Sequence, residues 1–256
     1  MKIYKKMQEI FGEAAAEQTV RYLDIGLGYT AVELSDGRVG IAYTYITGKD
    51  SCALFHDRRD FEGAPASQLL ELLESGNLVE RSAAVAAVNA LNSTRSGAFP
   101  ADGDSLVDDL GLKEGDVVAM AGYFGPVVAK IEAVGASVHA HDIGKGIGAQ
   151  QELYELISSG KAKGLVFTST SIINGSTEEV LSHLHRNTPC ALLGPTTPMI
   201  PEVFEHLPVQ FLGGIAPENP EGIFKAVRNG RGTRDILKAA KKVYFRRAED
   251  EVPPLR

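Results

Sequence analysis

The sequence predicts an α/β protein, a small α+β unit followed by a doubly wound parallel sheet. Three observations lead there. From residue 117 onward, short apolar strands alternate with helical stretches, the pattern of a parallel sheet covered on both faces. Ahead of them, two strand-like runs flank Asp36-Gly37, a hairpin signal. The 256 residues, 44% of them hydrophobic, can bury one large core or two modest ones.

The elements follow in order. Residues 1–18 place Ile3, Met7, Ile10, Phe11 and Ala14 at helical spacing, with charges between them. "VRYLDIGLGYTAVEL" and "RVGIAYTYI" are rich in β-branched and aromatic residues. Pro65 opens a helix, "PASQLLELLESGN", that ends near Gly76. "LVERSAAVAAVNALNS" is a second helix whose small residues suit close packing, with Asn89 and Asn92 on one face. The Gly-, Pro- and Asp-rich run 93–116, with a short helix near Leu106–Leu110, reads as the junction between units 1–98 and 99–256. Beyond it "VVAMAG", "SVHAHD", "GLVFTST", "CALLGP" and "VQFLGG" are strands. Helices are expected at 126–134, 150–159, 176–186, 199–206 and 219–228.

Gly26, Gly28 and Ala31 match the spacing G-x-G-x-x-A. A dinucleotide loop must end a strand and open a helix, so that helix amides face the pyrophosphate. Here Val32-Glu33-Leu34-Ser35 continues as strand and turn, so these glycines are expected to bend a strand pair and NAD is not expected.

Bulk properties exclude further classes. The net charge is −7 and the pI near 5.4, unfavourable for binding nucleic acid or an anionic membrane. Cys52 and Cys190 form no C-x-x-C, which argues against a disulfide framework or a cysteine-rich zinc site. The charged N-terminus is no secretory signal, and no apolar run could span a bilayer. A cytoplasmic protein is expected, with a small-molecule or metal-complex ligand; a homodimer stays open.

Ligands of such sheets bind beyond the carboxyl ends of the strands. Those ends carry Gly122-Tyr123-Phe124-Gly125; then Asp142 with Gly144, Gly146 and Gly148; then Ser169-Thr170-Ser171 with Asn174; then Gly194-Pro195-Thr196-Thr197; then Gly213-Gly214. Glycines admit close backbone approach, and hydroxyls suit an anion or a polar molecule. Ser176 and Thr196 also read as helix N-caps.

At these loops the chain resembles a known family. "GYFGPVV", "TSTSIINGSTEEVL", "LLGPTTPMIPEVF" and "RGTRDILKAAKKVYFRR" look like successive motifs of the DUF364 family, named the putative heavy-metal chelation domain. "GRVGIAYT" and "SAAVAAVNALNS" look like its N-terminal partner domain. The resemblance implies an enolase-N-terminal-like α+β domain, a Rossmann-like domain, and a site in the cleft between them. That site would draw on Asn89, Tyr123, Phe124, Thr170, Asn174 and Thr196, with a divalent or heavy-metal ion as the implied cofactor.

The residues themselves offer a metal one cluster. His139 and His141 alternate on a strand and share a face, with Asp142 next. His183 and His185 diverge on a helix, "HDRRD" at 56–60 reads as a polar loop, and Cys190 as core. The stretch 228–247 carries eight Lys and Arg against one Asp; a solvated helix face plus an edge strand is weighed there against an anionic partner. The expected function is handling of a polar, anionic or metal-bearing ligand, with oxygen-rich anions served first and metal carried as part of them or held weakly. Two rivals stand beside it: an enzyme acting on an anionic, nucleotide-like metabolite, with Asp142 where a dinucleotide fold keeps its ribose acid, and a non-catalytic interaction module.

Overall fold

The computed structural model describes residues 1–46, 48, 54–101 and 106–248. Helix α1 (Lys2–Glu17) buries Ile3, Tyr4, Met7, Phe11 and Ala15. The expected stripe is thus shifted: Ile10 is exposed, because contact follows the i, i+4 row from Ile3 to Ala15. Strands β1 (Val20–Ile25), β2 (Tyr29–Leu34) and β3 (Val39–Tyr43) form an antiparallel sheet in that order. The first strand-like run is therefore two strands, joined where Gly26 N donates to Tyr29 O at 3.0 Å. No helix follows Gly28, as expected for a chain without the dinucleotide loop. A side chain on Gly26 would overlap the carbonyl of Val227, so the glycine there permits a neighbouring helix to come close.

After α2 (Ser67–Glu71) comes α3 (Leu78–Leu91), started by Asn77, whose side chain accepts from Val79 N and Glu80 N. Helix α3 is buried almost all round through Ala83, Ala84, Ala86, Ala87 and Ala90. Its small residues let it lie directly on β3. A side chain at Gly40 would overlap the backbone of Ala86, Asn89 and Ala90. Strand β2 is buried along its length because the sheet is covered twice, by α3 on one face and by the later helix Pro220–Arg228 on the other.

Residues 93–101, the first part of the expected junction, are mostly exposed and touch the larger sheet at a few points. Helix α4 (Ser93–Ala98) leads to Pro100, whose carbonyl accepts from Tyr244 N, and to Ala101, which bridges Val243. Residues 102–105 lie outside the described residues; α5 (Leu106–Asp109) follows.

The larger sheet then builds as expected. Its segments are β4 (Val117–Ala121), α6 (Gly125–Ala133), β5 (Ser137–His141), α7 (Gln150–Ser158), β6 (Gly164–Thr168), α8 (Thr170–Asn174), α9 (Thr177–Ser182), β7 (Cys190–Leu193), β8 (Val209–Pro217), α10 (Pro220–Arg228), α11 (Thr233–Ile236) and β9 (Ala240–Arg246). The strand order is β5-β4-β6-β7-β8-β9, with β9 antiparallel to β8 and the rest parallel. The helix expected at 199–206 is only a 3-10 turn, Pro201–Phe204, since Pro198 and Pro201 cannot donate to a helical ladder. The fold is the α/β class the sequence predicts.

The two sheets share one core. Ile3, Met7, Leu69, Leu73 and Val85 belong to the same buried cluster as Leu165, Phe167, Leu192 and Phe204. Most cations of the basic stretch stay exposed, but three of them make long-range contacts. Arg228 pairs with Asp24 on β1 at 2.6 Å and Arg246 with Asp109 at 2.8 Å. Arg247 is buried and donates to the carbonyls of Pro201, Phe204 and Leu207. Among the described residues, no helix is long and apolar enough to cross a membrane.

The Gly40 contact yields a prediction. Gly40→Ala forces α3 off β3 and is expected to destabilise the protein by about 3 kcal/mol or more, the upper range for overpacking. Urea unfolding measures it; a loss under about 0.5 kcal/mol would mean the helix does not touch the strand there.

Candidate functional site

From β4 the chain crosses to one neighbour, β5, and then returns to the other side, to β6. Crevices open at such reversals, beyond the carboxyl ends of the strands that flank them. Here those ends are Gly122-Tyr123-Phe124 and Ser169-Thr170. Gly122 has φ +85°, and a side chain on it would press into Thr168 at 2.8 Å. The two loops therefore touch through bare backbone. Thr168 and Thr170 hydroxyls bond each other at 3.0 Å. Ser169 is 1% exposed, and its hydroxyl has no hydrogen-bond partner among the described residues. It faces Gly194 of the next loop, where a side chain would lie 2.8 Å away.

The small sheet and its helices sit on the β6–β8 part of this edge. Tyr4 OH donates to Ile172 O and Arg81 to Ile173 O, so α1 and α3 hold the end of α8. Asn174 Nδ2, also on α8, donates to Tyr45 OH at 3.1 Å. Asn89 Nδ2 donates to both Ile41 O (2.8 Å) and Thr196 O (3.2 Å), while Tyr43 N donates to Thr196 Oγ1 at 2.9 Å. Asn92 Nδ2 reaches Met199 O at 2.8 Å. Between Gly40, Ile41, Asn89, Ser96, Pro195, Ile215 and Pro217 a void of about 10 Å³ remains, room for roughly one water.

The seam is walled by tyrosines. Tyr29, Tyr43 and Tyr45 stand edge to face, with ring centroids 6.1 and 6.0 Å apart. Tyr29 OH bonds Thr233 Oγ1 at 2.6 Å, and burial raises its pKa above the usual phenol value. Tyr43, the middle ring, is 39% exposed.

The strand-end residues read from the sequence thus divide. Thr196 and Thr197 are buried and already bonded, Thr197 to Gly213 O at 2.8 Å, and Ser171 is bonded to Thr177. Asn89 is a strut between the layers. Gly122, Tyr123, Phe124, Ser169, Thr170, Asn174 and Gly194 lie in the segments that follow β4, β6 and β7. Asp142 stands at the end of β5, as a ribose acid would, but its carboxylate accepts from Tyr123 N (2.9 Å) and Lys145 N (3.1 Å). It ties the β5 loop to the β4 loop. Sequence reasoning passed over the tyrosines and Lys145; the run "YTY" and the lysine between two glycines at 144–146 were their only signals.

The metal candidates do not close into a site. His139 Nε2 lies 3.7 Å from Glu152, and His141 Nδ1 is 3.1 Å from Gly148 O. Both Nε2 atoms are buried without a hydrogen-bond partner among the described residues, so neither is presented to solvent as a ligand. Asp142, their expected third member, is engaged with backbone amides. Among the described residues no three His, Cys, Asp or Glu side chains gather as a metal-holding group. Cys190 donates to Pro208 O, and burial pushes its pKa up to about 12. Cys52 lies outside the described residues.

Comparison with known proteins bears on this arrangement. The family model DUF364, described as putative heavy-metal chelation, matches residues 105–246, and a second of the same description, DUF4213, matches residues 8–92. A DUF364-family protein of unknown function from Pyrococcus horikoshii is 18% identical with a TM-score of 0.74, covering 96% of this chain and 100% of its own. Another, from Desulfitobacterium hafniense DCB-2, is 21% identical with a TM-score of 0.75, covering 95% and 100%. These likenesses show the fold. No curated protein matches the chain.

Two predictions follow from the seam and the thiol. Asn89→Ala and Thr196→Val each remove a bond between the layers and leave a buried group unpaired, costing about 1–3 kcal/mol. Asn89 meets the Thr196 carbonyl, which Thr196→Val keeps, so the two losses are expected to add roughly; a combined loss well below the sum in denaturant melts would show that the two side chains act through one shared contact. In a Cys52→Ser variant, Cys190 is expected to resist a thiol reagent at neutral pH until the protein is unfolded, and rapid labelling of the native chain would contradict its burial.

Proposed function

The chain belongs to the DUF364 family, and from that premise we infer that it binds and handles a small polar, anionic or metal-bearing ligand in the crevice at the carboxyl edge of the large sheet. Two units, 1–98 and 99–256, close on that edge in this reading, in a cytoplasmic protein. The observation that carries it is the buried hydroxyl of Ser169, without a partner among the described residues, against the bare backbone of Gly194 beside the strand reversal. A buried donor of that kind costs stability unless something binds it. Tyr123, Phe124, Thr170 and Asn174 supply the surrounding contacts.

Metal handling, the activity the family description names, has support only from the Nε2 atoms of His139 and His141, buried and unpartnered among the described residues. It is weakened by the engagement of Asp142. The nucleotide-like alternative is weakened by the same bonds.

Native mass spectrometry of the purified protein identifies what travels with it. Thr170→Val and Asn174→Ala are expected to weaken that ligand by about 1–3 kcal/mol, more than they cost in stability through the lost bonds to Thr168 and Tyr45. Unchanged affinity with lost stability would make them structural. One tight equivalent of bare metal, abolished by His139→Ala or His141→Ala, would make plain chelation the primary activity.

A further inference from the structure

Residues 142–147 form a tight hairpin. Asp142 N donates to Ile147 O at 2.8 Å, and Ile147 N donates back to Asp142 O at 3.0 Å. Gly146 and Gly148 have φ +64° and +59°, which side chains disfavour, and a side chain at Gly148 would overlap the carbonyl of Ala140. At its tip Lys145 reaches back to the β4 loop. Its Nζ donates to Tyr123 O at 2.7 Å and lies 5.1 Å from the centre of the Tyr123 ring. The nearest carboxylate oxygen, Asp142 Oδ2, is 3.6 Å away and already accepts from Tyr123 N. The acid is largely covered at 17% exposure, whereas the lysine is 53% exposed. What a ligand meets beside Tyr123 is thus the ammonium.

We propose that Lys145 is the charge-selecting residue of the crevice, and that the ligand is a multiply charged anion, free or as a chelator already holding metal. This rests on the carboxyl-edge reading above. An ammonium has three donors, and the Tyr123 carbonyl takes one. The carbonyl bond and the ring contact hold the side chain in place beforehand, so little rotamer freedom is lost on binding. A bare metal ion on Asp142 would displace two backbone amides and sit close to a like charge. The same ammonium attracts carboxylate or phosphate oxygens.

Calorimetry of the full chain with citrate, inorganic phosphate, zinc chloride and zinc citrate tests this, using Lys145→Gln, Lys145→Arg and Asn174→Ala. Wild type is expected to bind citrate or phosphate, more weakly as salt is added. Lys145→Gln should weaken that binding about 10- to 100-fold, the range for a lost charge-assisted bond, and flatten its salt dependence. Lys145→Arg should restore most of it, and zinc alone should bind Lys145→Gln no worse than wild type. Anion affinity unchanged in Lys145→Gln but lost in Asn174→Ala overturns the role of Lys145 and leaves the crevice standing. The reverse pattern keeps Lys145 as an anion site and removes the crevice reading. Wild type that binds none of the anions, or binds bare zinc tightly in preference to them, overturns the proposal.

Discussion

Helix α3 rests on strand β3 with no side chain between them at Gly40. Much of the remaining architecture depends on that approach. It brings Arg81, Asn89 and Asn92, spaced along one helix, to the carbonyls of Ile173, Thr196 and Met199 on the strand-end loops of the other sheet. Had α3 stood off by the width of a methyl group, these bonds would miss their acceptors. The alanines of α3 contribute little burial each, and the gain is geometric: backbone packs on backbone, and polar arms reach across.

The carboxyl edge inherits its shape from this arrangement. Helix α8 is only five residues long and cannot hold itself. Tyr4 and Arg81 occupy carbonyls near its end, and Tyr45 accepts from Asn174. On the far side, Asp142 and Lys145 hold the Tyr123 loop through its backbone N–H and C=O. Helix α8 is thus braced by the small sheet and its helices, and the Tyr123 loop by the β5 hairpin. Polar side chains do most of the bracing, which explains why so few of the strand-end hydroxyls remain available.

Charge follows a similar economy. The chain is acidic overall, and three cations of its basic run, Arg228, Arg246 and Arg247, reach Asp24, Asp109 and the carbonyls beside the 3-10 turn, while Arg231, Arg234, Lys238 and Lys242 face solvent. These pairs tie β1, α5 and the 3-10 turn to the large sheet, positions far apart in the chain.

The sequence by itself determined the class, the five parallel strands and most helices, because apolar periodicity and glycine punctuation are local properties. It excluded a dinucleotide loop at Gly26, since the strand continuing through Val32 can be read directly. It also located the loops at the carboxyl ends of the parallel strands. Only the tertiary structure decided which polar groups are spent. Thr196 and Thr170 look alike in sequence, but one is bonded to Tyr43 N and buried while the other borders the crevice. Asp142 looks like a ligand and acts as a loop tie; Lys145 looks like a surface residue and is held against Tyr123. Hydrogen bonding between residues distant along the chain makes these distinctions, and no spacing rule records it.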